Sequence, residues 1–307
     1  MKNILFLAVI LGFAASSFAV FSWENGDGSH SWNVPNNWAN NTTGSWVYGV
    51  LPGLLDDVNL SNTSSGRYVQ INAGDDIAVQ DVSLGWNIDG SMIIDGGDFQ
   101  CRNFFLGLGD QETGEVSLIV NGGNFYSVFD GQFGGKIMPY NSDPNSTSRI
   151  TMNGGLIQLD NALEILDDSA YQAKLAVQLY GGIFDPKFVA VQGGSGSNLS
   201  IDIAGGTLLL DTIGNFQDLV GLYDSVSVNG EKLVWDDVVG QIDPDTGEPD
   251  PEIPNPEKLI YDLETYPGRV AITASYVVPE AKYDLEADGV LDAKDIVVMA
   301  QQWLAGN

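Results

Sequence analysis

Cysteine, histidine and basic residues are nearly missing from this chain. Among its 307 residues there is one cysteine, Cys101, and one histidine, His30. A single thiol cannot close an intrachain disulfide, so the fold must rest on packing, with or without a bound metal. Cys101 follows Phe99 by two residues, in phase with an apolar face, which suits a small core residue better than a nucleophile. A Ser-His-Asp triad would have to use His30, which lies in a Gly/Ser-rich stretch expected at the surface. No G-x-S-x-G, H-E-x-x-H or phosphate-loop pattern stands out. Lys and Arg number 12 against 41 Asp and Glu, a net charge of −29. Phosphate binding needs clustered cations, so nucleic acid is excluded as a partner and anionic membrane surfaces are disfavoured. The acidic surplus suits solubility outside the cell and offers carboxylates to divalent cations. Long amphipathic helical patterns are also missing, except at the very end of the chain.

What is present is glycine, 37 residues of it, in a repeated setting. The stretch Val116–Phe125 reads apolar–x–apolar–x–Gly–Gly–x–apolar through Leu118, Val120, Gly122, Gly123 and Phe125. Met92, Ile94, Gly96, Gly97 and Phe99 fit the same pattern, as do Ile150, Met152, Gly154, Gly155 and Ile157. Two more copies run through Gly181-Gly182 and Gly205-Gly206, and a weaker one through Val69, Ile71, Ala73 and Gly74. From Gly96 on, the first glycines are 26, 32, 27 and 24 residues apart. Apolar residues two apart share one face of a strand. Paired glycines free the backbone for a tight corner, and the next apolar residue re-enters the core. Repeats of this length mean a stacked architecture whose coils bury their apolar face only against neighbours. The fold class expected is therefore all-β, a parallel β-helix or β-solenoid of about five to six coils over residues 58–215. A β-sandwich or jelly roll with Gly-Gly turns is the alternative. Val82-x-Leu84-Gly85 and Phe104-x-Leu106-Gly107 imply at least two strands per coil and leave open whether there are three sheets. The extra length of the 32-residue copy is expected in a surface loop at Pro139–Thr147.

Residues 1–19 read as a signal peptide: Lys2, an apolar run Ile4–Ala15, and small residues before a cleavage site after Ala19. The run is short for a membrane anchor, and nothing later is apolar enough to span a bilayer. A secreted or cell-surface location is the expectation. Residues 20–57 form a Trp-rich segment with Trp23, Trp32, Trp38 and Trp46. Large aromatics can plug the open end of a solenoid, or present flat faces to a sugar ring; both readings stand. After residue 215 the pattern breaks into terminal strands over 216–278, with Val226, Val228 and Leu233 as expected core. They are interrupted by a Pro- and acid-rich exposed loop at 241–257. Leu259–Val278 is expected to pair back onto the body.

One constellation carries specific chemistry. Counted from Asp284, the acidic residues Asp284, Glu286, Asp288, Asp292 and Asp295 stand at positions 1, 3, 5, 9 and 12, with Gly289 at position 6 and Leu291 at position 8. That is the layout of an EF-hand loop: alternate oxygens on a tight curve converge on Ca²⁺, and the Val290 carbonyl adds a backbone ligand. A helix is expected from Ala293 to Leu304, with Ile296, Ala300 and Trp303 on one face.

Two resemblances follow from these residues. The segment containing Trp23, Asn25, Gly28, Trp32, Asn37, Trp38, Pro52, Asp56 and Asp57 resembles the opening of autotransporter-like passenger and repeat proteins of bacterial surfaces, where it leads into a Gly-rich β-solenoid. The loop and helix over 283–305 resemble one half of a type I dockerin repeat. That resemblance implies calcium held by Asp284, Glu286, Asp288, Val290 through its carbonyl, Asp292 through water, and Asp295, and docking onto a cohesin-like or cell-surface protein. The chain departs from the dockerin pattern at Glu286, in having one loop only, and in placing Ala293 and Lys294 at the partner-selecting positions.

Three functions remain in play. The first is a secreted structural or adhesion-type solenoid with a calcium-dependent attachment module. The second is a carbohydrate-binding protein using the Trp-rich end or the solenoid side. The third is a polysaccharide lyase or glycosidase on a β-helix, which needs paired carboxylates or a base beside an acidic cluster. Along the repeats the cations are Arg67, Arg102, Lys136, Arg149, Lys174 and Lys187, and the linear sequence puts none of them in such a cluster. Enzymatic activity is left undecided, with the weight against it.

Overall fold

The computed structural model describes residues 19–40, 46–60, 68–85, 89–109, 116–131, 134–141, 147–168, 171–192, 198–210, 225–232 and 269–273. Apart from a 3-10 turn at Pro35–Asn37, every named element among them is a strand. The chain winds as a parallel β-solenoid with three strand positions per coil in two hydrogen-bonded sheets, not three: the first two positions share one sheet, joined by the long strands Gly90–Cys101 and Val116–Ser127.

The three positions are three columns of buried side chains, one from each coil. The first runs Val69, Met92, Leu118, Ile150, Val177, Ile201 and Val226, each in register with the next in parallel strands. The second, past the Gly-Gly corner, runs Ile77, Phe99, Phe125, Ile157, Phe184 and Leu208. The third runs Phe21, Val58, Val82, Phe104, Ile137, Leu163 and Val189. No member of any column exceeds 6% exposure, and together they form one continuous core. Burying each such side chain contributes about 1.5–3 kcal/mol, and only the neighbouring coil supplies the cover. The regular part amounts to about four turns, and partial coils at the two ends lengthen the columns.

The corner between the first two columns explains the repeated glycines. Gly123, Gly155 and Gly182 hold φ of +73°, +75° and +76°. A Cβ on Gly155 would lie 2.2 Å from the Gly123 carbonyl oxygen, and one on Gly182 would lie 2.5 Å from that of Gly155. These corners stack backbone on backbone, so neither the conformation nor the space admits a side chain. Beside them a ladder of side chains ties four coils together. Gln70 and Asn121 donate amide hydrogens to the Asp95 carboxylate at 2.5 Å each, and Asn153 donates to Asn121 at 2.7 Å.

Both ends are covered by antiparallel strands, which blunts edges that would otherwise template another chain. At the start, Trp38–Asn40 pairs antiparallel with Val20–Trp23 and Val47–Tyr48 pairs with Trp38–Asn40. At the far end, Val270–Thr273 pairs antiparallel with Thr207–Leu210, so the late segment does return to the body. Val226 is buried as expected and Val228 packs against the core.

The surplus residues of the 32-residue repeat are not where the sequence put them. Pro139 belongs to the strand Lys136–Asn141. The extra length lies at 128–135, between the strands Val116–Ser127 and Lys136–Asn141, whereas the coil before turns the same corner with Arg102 alone between its strands. The flare closes on itself through an antiparallel bridge from Phe129 to Gly134.

Candidate functional site

The six residues expected to hold calcium, Asp284, Glu286, Asp288, Val290, Asp292 and Asp295, lie outside the described residues, as do the helix at 293–304, the loop at 241–257 and residues 1–18. Among the described residues no group of three or more His, Cys, Asp or Glu is placed to hold a metal ion, and no helix is long and apolar enough to cross a membrane.

The tryptophan segment divides. Trp23, Trp32 and Trp38 are 0–1% exposed and close the end of the core. Trp38 meets Trp23 edge-on at 5.0 Å and Trp32 at 4.5 Å, and Trp32 reaches Phe99 of the coils at 5.4 Å. The Trp38 indole N–H donates to the Trp32 carbonyl at 2.7 Å, which satisfies a buried donor. Asn37, fully buried, fixes the loop between them: its Oδ1 accepts from the Asp27 N–H, and its Nδ2 donates to the Ser31 carbonyl and Ser29 hydroxyl. These three rings plug the solenoid and offer no platform to a sugar. Trp46 alone is half-exposed. His30 is not a plain surface residue either. It stacks on Tyr68 at 4.2 Å, Nδ1 lies 3.1 Å from the Tyr68 carbonyl, and its own carbonyl accepts from Gln70 N–H, covering the edge of the first coil.

The constellation that the linear sequence hid is at the corner between the second and third columns. Gln80 and Arg102 from successive coils stack there, the Arg102 N–H donating to the Gln80 carbonyl, and Asp130 from the extra length of the next coil stands beside Arg102. With Val79, Gln100, Cys101, Val128, Phe129 and the overhanging Leu54 and Leu55, they line a pocket of about 320 Å³. Val128, Phe129 and Asp130 of the flare build one wall. The turn at Gly53–Asp56, closed by Asp56 N–H to the Gly53 carbonyl and by Gly53 N–H to the Asp56 carboxylate, builds the other.

Arg102 is the centre of its charges. Nε donates to Asp81 Oδ1 at 2.9 Å and Nη2 to Asp81 Oδ2, a bidentate pair, and Nη1 lies 3.7 Å from Asp130. With its amide turned to satisfy both sides, Gln80 donates to the Leu55 carbonyl at 2.9 Å and accepts from Arg102 at 3.0 and 3.1 Å. The hydrogen bond to Asp81 holds the guanidinium pKa above its ordinary value. Asp57, in register with Asp81 on the next strand, goes the other way for a carboxyl: burial, then the charge of Asp81, pushes its pKa up. Cys101 lines the pocket but is 1% exposed, and burial pushes its thiol pKa well up, so it offers no nucleophile.

The expectation that no cation along the repeats sits among carboxylates is thus overturned at Arg102. Asp81, Arg102 and Asp130 are 21 and 28 residues apart, and only the coil period brings them together. The same period supplies the Lys136 to Glu164 pair at 2.6 Å. The pocket therefore has a fixed, paired guanidinium, carboxylates on two sides, amide groups, and an apolar rim from Leu54, Leu55 and Phe129. It is equipped to hold a ligand by shape and hydrogen bonding. No protein-family model matches this chain, and no curated protein or solved structure matches it.

Proposed function

We propose that this chain is a secreted or cell-surface scaffold: a rigid β-solenoid spacer whose C-terminal loop binds Ca²⁺ and thereby attaches to a partner protein. The observation that carries this reading is that polar and charged side chains join one coil to the next along the body. The Asp95–Asn121–Asn153 ladder, the Arg102–Asp81 pair and the His30–Tyr68 cap each join one coil to another. Such a body is a spacer that holds its two ends apart in a fixed geometry. The attachment chemistry is supplied by the sequence of the 284–295 loop, with its oxygens at EF-hand spacing.

Calcium titration of the chain from Val20 onward tests the reading. The expected result is one Ca²⁺ per chain, with tail amides gaining hydrogen-exchange protection. Asp288→Ala should lose both, leaving the strand signal unchanged. An Asp288→Ala chain that binds and orders like the parent would refute the calcium module. Carbohydrate contact, at the Trp-rich end or on the solenoid side, is the second reading; the burial of Trp23, Trp32 and Trp38 takes away the aromatic platform at the Trp-rich end and leaves the solenoid side.

A further inference from the structure

We propose that the corner pocket around Arg102 binds an uncharged pyranose unit of a polysaccharide, at a site separate from the Trp-rich end. The proposal does not depend on the calcium-docking reading, and its failure would leave that reading intact.

Size comes first. A pocket of about 320 Å³ sits at the lower end of the range for small-molecule sites. Its corner residues come from three successive coils, so the pocket runs about 10 Å along the solenoid axis at the spacing of neighbouring strands. It suits one or two linked rings with the chain continuing along the solenoid side.

The lining then selects the chemistry. Leu54, Leu55 and Phe129 are 59%, 62% and 45% exposed, three large apolar groups gathered at one mouth of a strongly acidic protein. Phe129 is the only aromatic ring among the lining residues, and a flat ring face takes the C–H face of a sugar. The polar lining is of planar groups, the amides of Gln80 and Gln100, the Arg102 guanidinium and the Asp130 carboxylate. Gln80 and Arg102 already bond each other, the Leu55 carbonyl and Asp81, so a hydroxyl joins or displaces one of these contacts, while the Gln100 amide offers both a donor and an acceptor.

Charge excludes the other candidates. An anionic ligand would need the guanidinium, but Asp81 holds two of its donors and Asp130 stands beside it. Asp57 adds a further carboxyl behind Asp81. An acidic sugar would meet net repulsion in this corner, on a chain of net charge −29. A cation would meet Arg102 at the centre. A neutral polyol meets neither penalty.

The frame is rigid where it must be. Arg102 N–H donates to the Gln80 carbonyl at 2.6 Å, Val79 N–H to the Gln100 carbonyl at 3.0 Å, and Val128 N–H to the Cys101 carbonyl at 2.8 Å. The Phe129 N–H donates to the Asp160 carboxylate at 3.2 Å, which anchors the flare to the coil beyond. The polar floor is thus positioned before any ligand arrives, which lowers the ordering cost of binding.

The test uses the chain from Val20 onward and side-chain amide NMR of Gln80 and Gln100. The probes are methyl glucoside, methyl galactoside, methyl mannoside and methyl xyloside. Neutral linear oligosaccharides of glucan, mannan and xylan and an anionic oligogalacturonide complete the set. At least one neutral probe is expected to shift both amides. Phe129→Ala should weaken that binding about three- to tenfold, as loss of one aromatic contact does. Both Phe129→Ala and Leu55→Ser remove exposed side chains, so thermal unfolding should match the parent and any loss of binding reports the pocket. Three results would overturn the proposal: no neutral probe moving the amides at millimolar concentration, binding that both variants leave unchanged, or preference for the oligogalacturonide.

Discussion

Replacing Gly123 by alanine isolates the feature on which the stacking depends. Gly123 has φ +73°, and a Cβ there would lie 2.1 Å from the Gly97 carbonyl oxygen and 2.6 Å from the Gly96 carbonyl carbon. Both neighbours are backbone of the coil next to it, with no rotamer to turn away. Gly74 offers the internal control: its φ is +89°, and a Cβ would meet nothing within 4 Å. Both substitutions carry the penalty of a left-handed backbone, about 1–2 kcal/mol. Only Gly123→Ala must also push two coils apart, and it should lose about 4 kcal/mol or more, the range in which single substitutions are exceptional. Urea unfolding followed by far-UV circular dichroism reads both, with an unchanged m-value showing that the same surface is exposed. Equal losses for the two variants would refute the claim that the corners are closed by coil-on-coil backbone contact.

Two further outcomes follow from the same packing. Asp57→Asn should raise the melting temperature at neutral pH. The folded Asp57 has its pKa pushed above 3.8 by burial and by Asp81, so the protonated form favours the fold. That contribution is fully present below 3.8 and is lost as pH rises through the elevated folded value, so the variant's advantage should vanish on acidification; an advantage independent of pH would refute the assignment. Asn37→Ala should cost about 1–3 kcal/mol by removing the buried amide that ties the Asp27 N–H and the Ser31 carbonyl into the cap loop, read as earlier thermal loss of tryptophan emission. A melt identical to the parent's would show that Asn37 is not the hinge of the cap.

The columns were legible in the sequence because each coil repeats its own local chemistry. Leu118, Val120, Gly122, Gly123 and Phe125 state a strand, a corner and a strand within eight residues, and five copies of that statement leave little but stacking. The third column was harder to read. Val58, Val82, Phe104, Ile137, Leu163 and Val189 are joined to the rest by corners of unequal length, so no fixed spacing announces them. The flare at 128–135 shows the same limit, since composition favoured 139–147 for the surplus length while the strand pairing of Lys136–Asn141 absorbs Pro139. The Arg102 site was invisible for a further reason. Asp81, Arg102 and Asp130 come from three coils, and their meeting depends on the phase of each corner. One signal was available: Asp57, Asp81, Asn103 and Lys136 stand one place before the third-column residues Val58, Val82, Phe104 and Ile137. Aligning the coils on that column, and not on the glycines, lines up these polar groups.

The scaffold reading is met most directly by asking whether the chain changes a polysaccharide. The chain from Val20 onward is incubated with algal and plant polysaccharides in millimolar calcium, and new reducing ends and unsaturated products are measured. The account predicts folded, intact protein and no product from any substrate, including those that the Arg102 pocket binds. Product from any of them, lost in Arg102→Gln or Asp130→Asn, would contradict the scaffold and make the corner pocket a catalytic cleft.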